Sequence, residues 1–350
     1  MRSENHFFNL LPEPIKTDLS YYQEEPLNIA VIGFGKMGIA HATILNLLHK
    51  GAVKHIVDRS DLIRIGGRIL LKNINFWKDA EKLLNRTDID AFYVTTPTQS
   101  HFPISKELLE SGARGIFIEK PPTINSYETE ILAELAKKSV DMVGLMRRYS
   151  LTFREAKKWL DTALKNKHIN SIKAYIKYGS ISTMTKPKRR KVTRGVLLDM
   201  GIYLLDLLVW YFGDLQVVNA KYKSLSGGTD DIFYAELATS KGHPVYIEAD
   251  WTDPNYRFPE AKIEIKGDDF LLEVSDDSLI LKLEGETWKR RKPEYYAGFP
   301  PVNLAYPEYV IENMHFLTCL RMQTKTETSL IYAVKLMQTI DQLYETAQPW

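Results

Sequence analysis

The sequence predicts a doubly wound parallel sheet at the N-terminal end, an α/β domain, followed by a mostly antiparallel sheet with helices, an α+β domain. Three observations carry this expectation. Between residues 28 and 148, short continuous apolar runs alternate with amphipathic stretches, the pattern of strands covered on both faces by helices. Beyond residue 148, strand-like segments follow one another with few helical stretches between them. The length of 350 residues suits about two domains.

The elements are expected in the following order. Asn28 to Ile32 is a short β-branched strand, with glycines directly behind it and an amphipathic helix over Met37 to Lys50 that Gly51 stops. Val53 to Val57 is a second strand ending at Asp58, while Arg59 to Asn75 shows no assignable pattern. A helix over Trp77 to Leu84 and a buried strand over Ala91 to Thr95 come next, then a helix over Ser100 to Glu110 backed by Gly112. Gly115 to Ile118, a helix over Tyr127 to Lys138 and a strand over Met142 to Leu145 complete the first domain. In the second, the strands are Ser171–Tyr178, Val217–Lys223, Ile232–Thr239, Val245–Trp251, Lys262–Lys266, Phe270–Val274 and Leu279–Leu283, and a helix over Thr328 to Thr346 closes the chain. The expected organisation is an arm over 1–27, an α/β domain over 28–148 and an α+β domain over 149–350.

Composition narrows the function. Apolar residues make up 44% and charged residues 26%, the balance of a soluble globular protein. A net charge of +2 gives no reason to expect nucleic acid or acidic membranes as partners. The single cysteine, Cys319, excludes internal disulfides and cysteine-rich zinc sites, and the eight histidines show no ligand spacing, so no metal site is expected. No apolar run approaches the ~20 residues of a membrane span. The first 27 residues lack the pattern of a signal peptide, and the whole fits a reducing cytoplasm. They carry two aromatic pairs, Phe7-Phe8 and Tyr21-Tyr22, and read either as a partly ordered tail or as an arm strapped onto its own domain or a partner subunit.

Gly33-Phe34-Gly35-Lys36-Met37-Gly38 is a G-x-G-x-x-G sequence placed between a strand and a helix, the context that makes it a dinucleotide signature. The first glycine permits a tight turn, and the second lets backbone amides approach a pyrophosphate. The third permits close helix–strand packing, while the helix N-terminus favours negative charge. Asp58, 20 residues after Gly38, would accept hydrogen bonds from ribose hydroxyls and repel a 2′-phosphate. NAD is therefore favoured over NADP, although Arg59 could serve a phosphate or stack on adenine. Thr95-Thr96-Pro97 and Glu119-Lys120-Pro121-Pro122 lie at further carboxyl ends of strands, where ligands of open parallel sheets bind. Two prolines behind Lys120 restrict it to extended geometry and stiffen the turn that presents it, which makes it a catalytic candidate.

These residues resemble the glucose–fructose oxidoreductase, inositol dehydrogenase and MocA (Gfo/Idh/MocA) family. The motifs are Gly33 to Gly38; Asp88-Ile-Asp90-Ala with Thr96-Pro97 and His101; Glu119-Lys120-Pro121; and Gly195 to Asp206, which holds Asp199, Gly201 and Tyr203. The resemblance runs from about Asn28 to the C-terminus. It implies a Rossmann nicotinamide domain followed by an open-faced antiparallel sheet, Lys120 in the active site, and His101 and Glu119 at the cofactor. It further implies a homodimer or homotetramer formed through that sheet, acting on sugars, polyols and related compounds. One departure stands out: the family's common pattern has histidine where this chain has Tyr203. Tyrosine there is similar to glucose–fructose oxidoreductases, some sugar dehydrogenases and dihydrodiol dehydrogenases, which leaves the proton-transfer group open.

The segment Leu198 to Phe212 is apolar around most of its circumference, which predicts a buried helix stopped by Gly213. Its polar exceptions, Asp199, Tyr203 and Asp206, are spaced i, i+4, i+7 and share a face. Buried polar groups need partners; hydrogen bonds to backbone would supply them, and Asp206 alone reads as paired with neighbouring helices. The functional reading is proton handling. Oxidising a carbinol requires removal of its hydroxyl proton, and a phenol of reference pKa near ~10 is a poor base unless a cation such as Lys120 favours the phenolate. Either Tyr203 is the acid/base and Lys120 its activator, or Lys120 transfers the proton and Tyr203 orients the substrate; Asp199 anchors a substrate hydroxyl. Met146-Arg147-Arg148-Tyr149 resembles the inositol dehydrogenase pattern in which the first arginine lies near substrate, while the plain reading is a solvent-facing pair. The run from Lys186 to Arg194, six cations in nine residues, is either solvated or reaches over the site toward an anionic substrate. Two readings compete with an NAD(P)-dependent sugar or polyol dehydrogenase: an oxidoreductase that retains its cofactor, and a nucleotide-sensing regulator on the same fold.

Overall fold

A computed structural model of the chain describes residues 10–12, 27–179, 194–225, 228–296 and 307–350. Contacts divide the chain into two compact units. The nucleotide-side unit is Pro12–Leu145 with Tyr309–Val334; the other is Met1–Leu11, Met146–Glu308 and Lys335–Trp350. Of the expected N-terminal arm, only residues 10–12 and 27 are described. Leu10 and Leu11 are buried, and the two aromatic pairs lie outside the described residues, as does the basic run apart from Arg194.

The nucleotide-side unit begins with β1 (Ile29–Ile32), α1 (Lys36–Leu48), β2 (Val53–Val57), α2 (Asp61–Leu70) and β3 (Asn75–Trp77). It continues with β4 (Ala91–Val94), α3 (His101–Glu110), β5 (Gly115–Glu119), α4 (Ser126–Leu135) and β6 (Val140–Gly144). The six strands are parallel in the order β3-β2-β1-β4-β5-β6. Every residue of β1, β4 and β5 is buried, which is why these segments read as unbroken apolar runs. The chain leaves β1 toward β2 on one side and returns to β4 on the other, opening a crevice at the carboxyl ends of β1 and β4.

One expectation fails here and one unassigned stretch is filled. The unassigned stretch contains α2, capped by the Ser60 hydroxyl, which accepts from the Ile63 amide. Gly66 and Gly67 interrupt a short segment whose apolar residues Leu62, Ile65 and Ile69 otherwise keep helical spacing and are exposed. Gly67 is required by packing, since a Cβ there would lie 2.3 Å from the Phe76 ring. The helix expected over Trp77 to Leu84 is absent: Trp77 closes β3 opposite Val57, its indole donates to His55 Nδ1 at 3.2 Å, and only Ala80–Leu83 forms a 3₁₀ turn. Sheet pairing overrides the local spacing.

The second unit contains α5 (Leu151–Asp161) and β7 (Ile169–Lys177), then a π turn, Leu197–Gly201, that runs into α6 (Ile202–Phe212). β8 (Leu215–Lys223), β9 (Ile232–Thr239), β10 (Pro244–Asp250), β11 (Glu260–Gly267), β12 (Phe270–Ser275), β13 (Ser278–Leu283) and β14 (Glu286–Arg291) follow, with a short α7 (Lys292–Tyr296). The chain ends with α8 (Glu308–Met322), α9 (Leu330–Thr346) and β15 (Gln348–Pro349). The nine-stranded sheet runs β14-β13-β12-β11-β7-β10-β9-β8-β15; β7–β10 and β8–β15 are parallel and the other pairs antiparallel. Helix α5, β14 and α8 were not foreseen. Helix α8 is buried from Val310 to Leu320, polar Glu312, Asn313, His315 and Thr318 included, so it shows no amphipathic period.

Helix α6 lies against β7 and is buried almost throughout, as its composition demands. Each fully buried leucine contributes about 1.5–3 kcal/mol. Its polar member Asp206, 0% exposed, pairs with Arg148, itself buried, through both carboxylate oxygens. The start of the π turn is held by Asp230, whose carboxylate accepts from the amides of Gly195 (2.9 Å) and Leu197 (2.8 Å) and from the Tyr344 hydroxyl (3.2 Å). Burial pushes this carboxyl up to about 6 against those donors.

Two outcomes are expected. Asp206→Ala strands the Arg148 guanidinium in the interior and costs about 3–5 kcal/mol, read as the shift of the urea transition of the second unit by circular dichroism. For Asp230, the folded-state value near 6 lies above the unfolded 3.8. The folded chain therefore binds the proton more tightly, and the stabilisation present below the unfolded value is lost as pH rises from about 4 through about 6. The difference in stability between the parent chain and Asp230→Asn, measured across that window, should show this slope and be flat above it.

Candidate active site

The crevice between β1 and β4 is a cleft of about 420 Å³ that brings together Gly33, Asp58, Arg59, Thr96 and Pro97 from the expected cofactor set. Gly33 has φ +92°, and a Cβ there would press on Thr96 at 2.8–2.9 Å. At Gly38 a Cβ would lie 2.0 Å from the Gly33 carbonyl oxygen, so α1 can pass this close to β1 only with glycine there. Gly35, by contrast, faces open space, with nothing within 4 Å of where a Cβ would be. It is the N-cap of α1, and no side chain caps that end, which leaves the helix N-terminus for an anion. Lys36 is exposed, Met37 half-buried, and the Phe34 ring meets Phe76 edge-on.

Asp58 is fixed by the loop it faces: Oδ2 accepts from the Phe34 amide and Oδ1 from the Ser60 amide, both at 2.8 Å. Arg59 and Lys78 line the same cleft. Lys78 was missed because the preceding stretch carried no readable pattern. Thr95 and Thr96 differ in role. The Thr95 hydroxyl donates to the carbonyls of Ile32 and Gly33 and holds the glycine loop. The Thr96 hydroxyl oxygen is buried beside the cleft without a hydrogen-bond partner in the protein. An open glycine surface at an uncapped helix end, a fixed carboxylate and an unanswered buried hydroxyl fit a dinucleotide.

His101 and Glu119 are buried behind the cleft and act on its walls. The His101 ring nitrogens lie 2.7 Å from the Thr96 carbonyl and 2.9 Å from the Pro121 carbonyl, so it bridges the turns after β4 and β5. Burial lowers its pKa, against the two carbonyls that favour the charged ring. Glu119 Oε2 accepts from the Lys120 amide at 3.0 Å, and Oε1 meets His41 Nε2 at 2.8 Å. His41 Nδ1 in turn lies against the Asn313 side-chain amide, 3.0 Å from Nδ2. The half-buried Lys120 thus follows a strand end clamped by Glu119, His41 and Asn313, and the Lys120–Pro121 peptide is cis. The roles of His41 and Asn313 carry no sequence signal, because Asn313 lies 272 residues beyond its partner.

In the second unit Asp199 sits half-buried within the π turn, and Tyr203, 7% exposed, follows in the first turn of α6. π turns are frequent at functional sites. Arg147 and Arg148 are buried, so the solvent-facing reading of this pair is overturned. Arg147 donates to both oxygens of Asp276 (2.9 and 3.0 Å) and stacks on the Tyr203 ring, with its guanidinium carbon 4.6 Å from the centroid. Arg148 holds Asp206 and lies over Trp210. Arg194, the described end of the basic run, pairs with Asp341 and stacks on Tyr344. Among the described residues no group of three His, Cys, Asp or Glu could hold a metal ion, and no helix is long and apolar enough to cross a membrane.

Comparison with known proteins places this geometry. Residues 27–146 match the model of the GFO/IDH/MocA oxidoreductase family's NAD-binding Rossmann fold, and residues 169–272 match that family's C-terminal domain. The chain is 29% identical over 217 residues to the oxidoreductase YhhX of Escherichia coli, a match spanning 60% of this chain and 61% of that protein. It is 25% identical over 315 residues to the NAD-dependent scyllo-inositol 2-dehydrogenase of Bacillus subtilis, 85% of this chain and 87% of the relative. Among solved structures it superposes on levoglucosan dehydrogenase in complex with NADH with a TM-score of 0.81 at 18% identity, over 92% of this chain and 97% of that one. The chain belongs to the GFO/IDH/MocA oxidoreductase family, carrying its NAD-binding Rossmann domain ahead of its C-terminal domain.

Proposed function

We propose that the chain oxidises a secondary hydroxyl of a sugar, polyol or sugar derivative, and reduces the matching carbonyl in reverse, with Lys120 and Tyr203 handling the hydroxyl proton. The observation that carries this reading is a nucleotide-fitting cleft at the strand reversal in a chain of this oxidoreductase family. The names of its relatives, an inositol dehydrogenase and a levoglucosan dehydrogenase, support a hydroxylated ring as substrate.

Bound in the cleft, NAD supplies the hydride acceptor. The Gly33–Gly38 loop and the N-terminus of α1 hold its pyrophosphate, and Asp58 accepts from the adenosine ribose hydroxyls. Asp58 disfavours a 2′-phosphate, while Arg59 and Lys78 on the same cleft temper that preference, so NADP is a weaker alternative. Tyr203, as phenolate, removes the proton of the reacting hydroxyl, and the Lys120 ammonium steadies both oxygens. Asp199 accepts from a neighbouring substrate hydroxyl. The basic run over 186–194 extends the substrate range to anionic derivatives. On the same reading the chain works in the cytoplasm as a homodimer or homotetramer. Its interface is the face of the nine-stranded sheet that carries Tyr246, 44% exposed, opposite buried Val245 and Ile247.

The test is reduction of NAD or NADP, followed at 340 nm, against inositols, aldoses, sugar phosphates and nucleotide-sugars. Lys120→Ala and Tyr203→Phe should each lower kcat by about 10²–10⁴-fold with nucleotide binding intact. Tight nucleotide binding without turnover on any of these compounds would replace this reading with a retained-cofactor cycle or a sensor. Asp58→Ala should raise KM for NAD and narrow the NAD:NADP preference about tenfold or more, read from kcat/KM for the two nucleotides. An unchanged ratio would mean that Arg59 and Lys78 set cofactor choice.

A further inference from the structure

Arg147 is a buried cation to which the reaction outlined above gives no part. Its side chain is 2% exposed. Nε and Nη2 donate to Asp276 as a fork, and Nη2 also reaches the Pro259 carbonyl at 3.2 Å. Asp276, in the turn between β12 and β13, is itself fixed, accepting from the Ala261 amide at 2.8 Å. The Nε–Nη2 edge is therefore taken by Asp276. The flat face of the guanidinium lies against the ring of Tyr203.

We propose that Arg147 is a positioning residue for Tyr203: a cationic plate, pinned by Asp276, that holds the ring and favours its phenolate over its phenol, so that it acts on the reaction through Tyr203. The inference rests on the acid/base role of Tyr203. A cation over an aromatic face is attracted by the ring quadrupole, and more strongly once the ring carries negative charge. Burial of the pair keeps solvent from screening that difference. The other charged groups on its own helix and turn are Asp199, one turn earlier, and Asp206, which Arg148 answers. Asp276 lies behind the plate and opposes it. The two members of the ion pair therefore act on the phenol with opposite sign.

That opposition is testable without a known substrate. Tyrosines are labelled with ¹³C at Cζ in the full chain, with NAD present and absent, and the signal missing from Tyr203→Phe is followed against pH. Arg147→Met should move its titration midpoint up by about one pH unit, and Asp276→Asn, which leaves the cation unopposed, should move it down. Arg147→Lys, which keeps the charge but loses the plate, should fall between parent and Arg147→Met, and it serves if Arg147→Met does not fold. A general loosening of the fold would move both variants the same way. Shifts of one sign, or none, overturn the proposal. Full turnover by Tyr203→Phe in the substrate panel would instead remove the acid/base role beneath it, an outcome the titration does not mimic.

Discussion

A charge taken out of water must be answered where it lies, and this constraint shapes both halves of the molecule. Arg147 and Arg148 are consecutive and buried, and each is met by a carboxylate from a different element: Asp276 from a hairpin turn and Asp206 from α6. Desolvating two guanidinium groups side by side is tolerable only if both carboxylates arrive in register. The turn between β12 and β13 and the rotation of α6 are thereby tied to one dipeptide. Tyr203 and Trp210, which lie against the two cations, are fixed by the same requirement.

The same physics operates at the other strand end that matters. Glu119 is buried, so its carboxylate is shared between the Lys120 amide and His41, and His41 is in turn answered by Asn313. Helix α1, which begins at the glycine loop, is thus bonded to the strand that presents Lys120. His101 does likewise for the turns that carry Thr96 and Pro121. Asp58, Thr95, His101 and Glu119 around the cleft hold backbone in place. Precision in a binding site comes from such supporting groups.

Asp230 shows the constraint from the side of the backbone. A helix start offers amides without intrahelical partners; in the turn entering α6 those of Gly195 and Leu197 donate to the buried Asp230 carboxylate and that of Leu198 to the Tyr344 hydroxyl. Gly195 is needed there because a Cβ would lie 2.1 Å from Asp230. The π turn that follows sets Asp199 at half burial beside a helix buried almost throughout.

By itself the sequence determined what depends on neighbours along the chain. Strands β1, β2, β4, β5 and β6 are legible as largely apolar runs because they are mostly buried, whereas the edge strand β3, part exposed, is not. The Gly33–Gly38 turn, the acid closing β2 and the lysine closing β5 are legible because each occupies a fixed offset within one strand–turn–helix unit. Helix α6 announced itself through its apolar surface, and Asp206 through the cost of leaving it unpaired. Helices α2 and α8 stayed hidden: α2 keeps its apolar residues at helical spacing but is short and broken by Gly66 and Gly67, while α8 buries polar residues and so lacks the period. Only the tertiary structure decided which partner answers each buried charge: Asp276 for Arg147 across 129 residues, Asn313 for His41 across 272, Asp230 for the Gly195 amide across 35. The need for a partner is a property of the residue, whereas the partner's identity is a property of the packing. Hydrogen bonds and ion pairs act over a few ångströms of space without regard to separation along the chain.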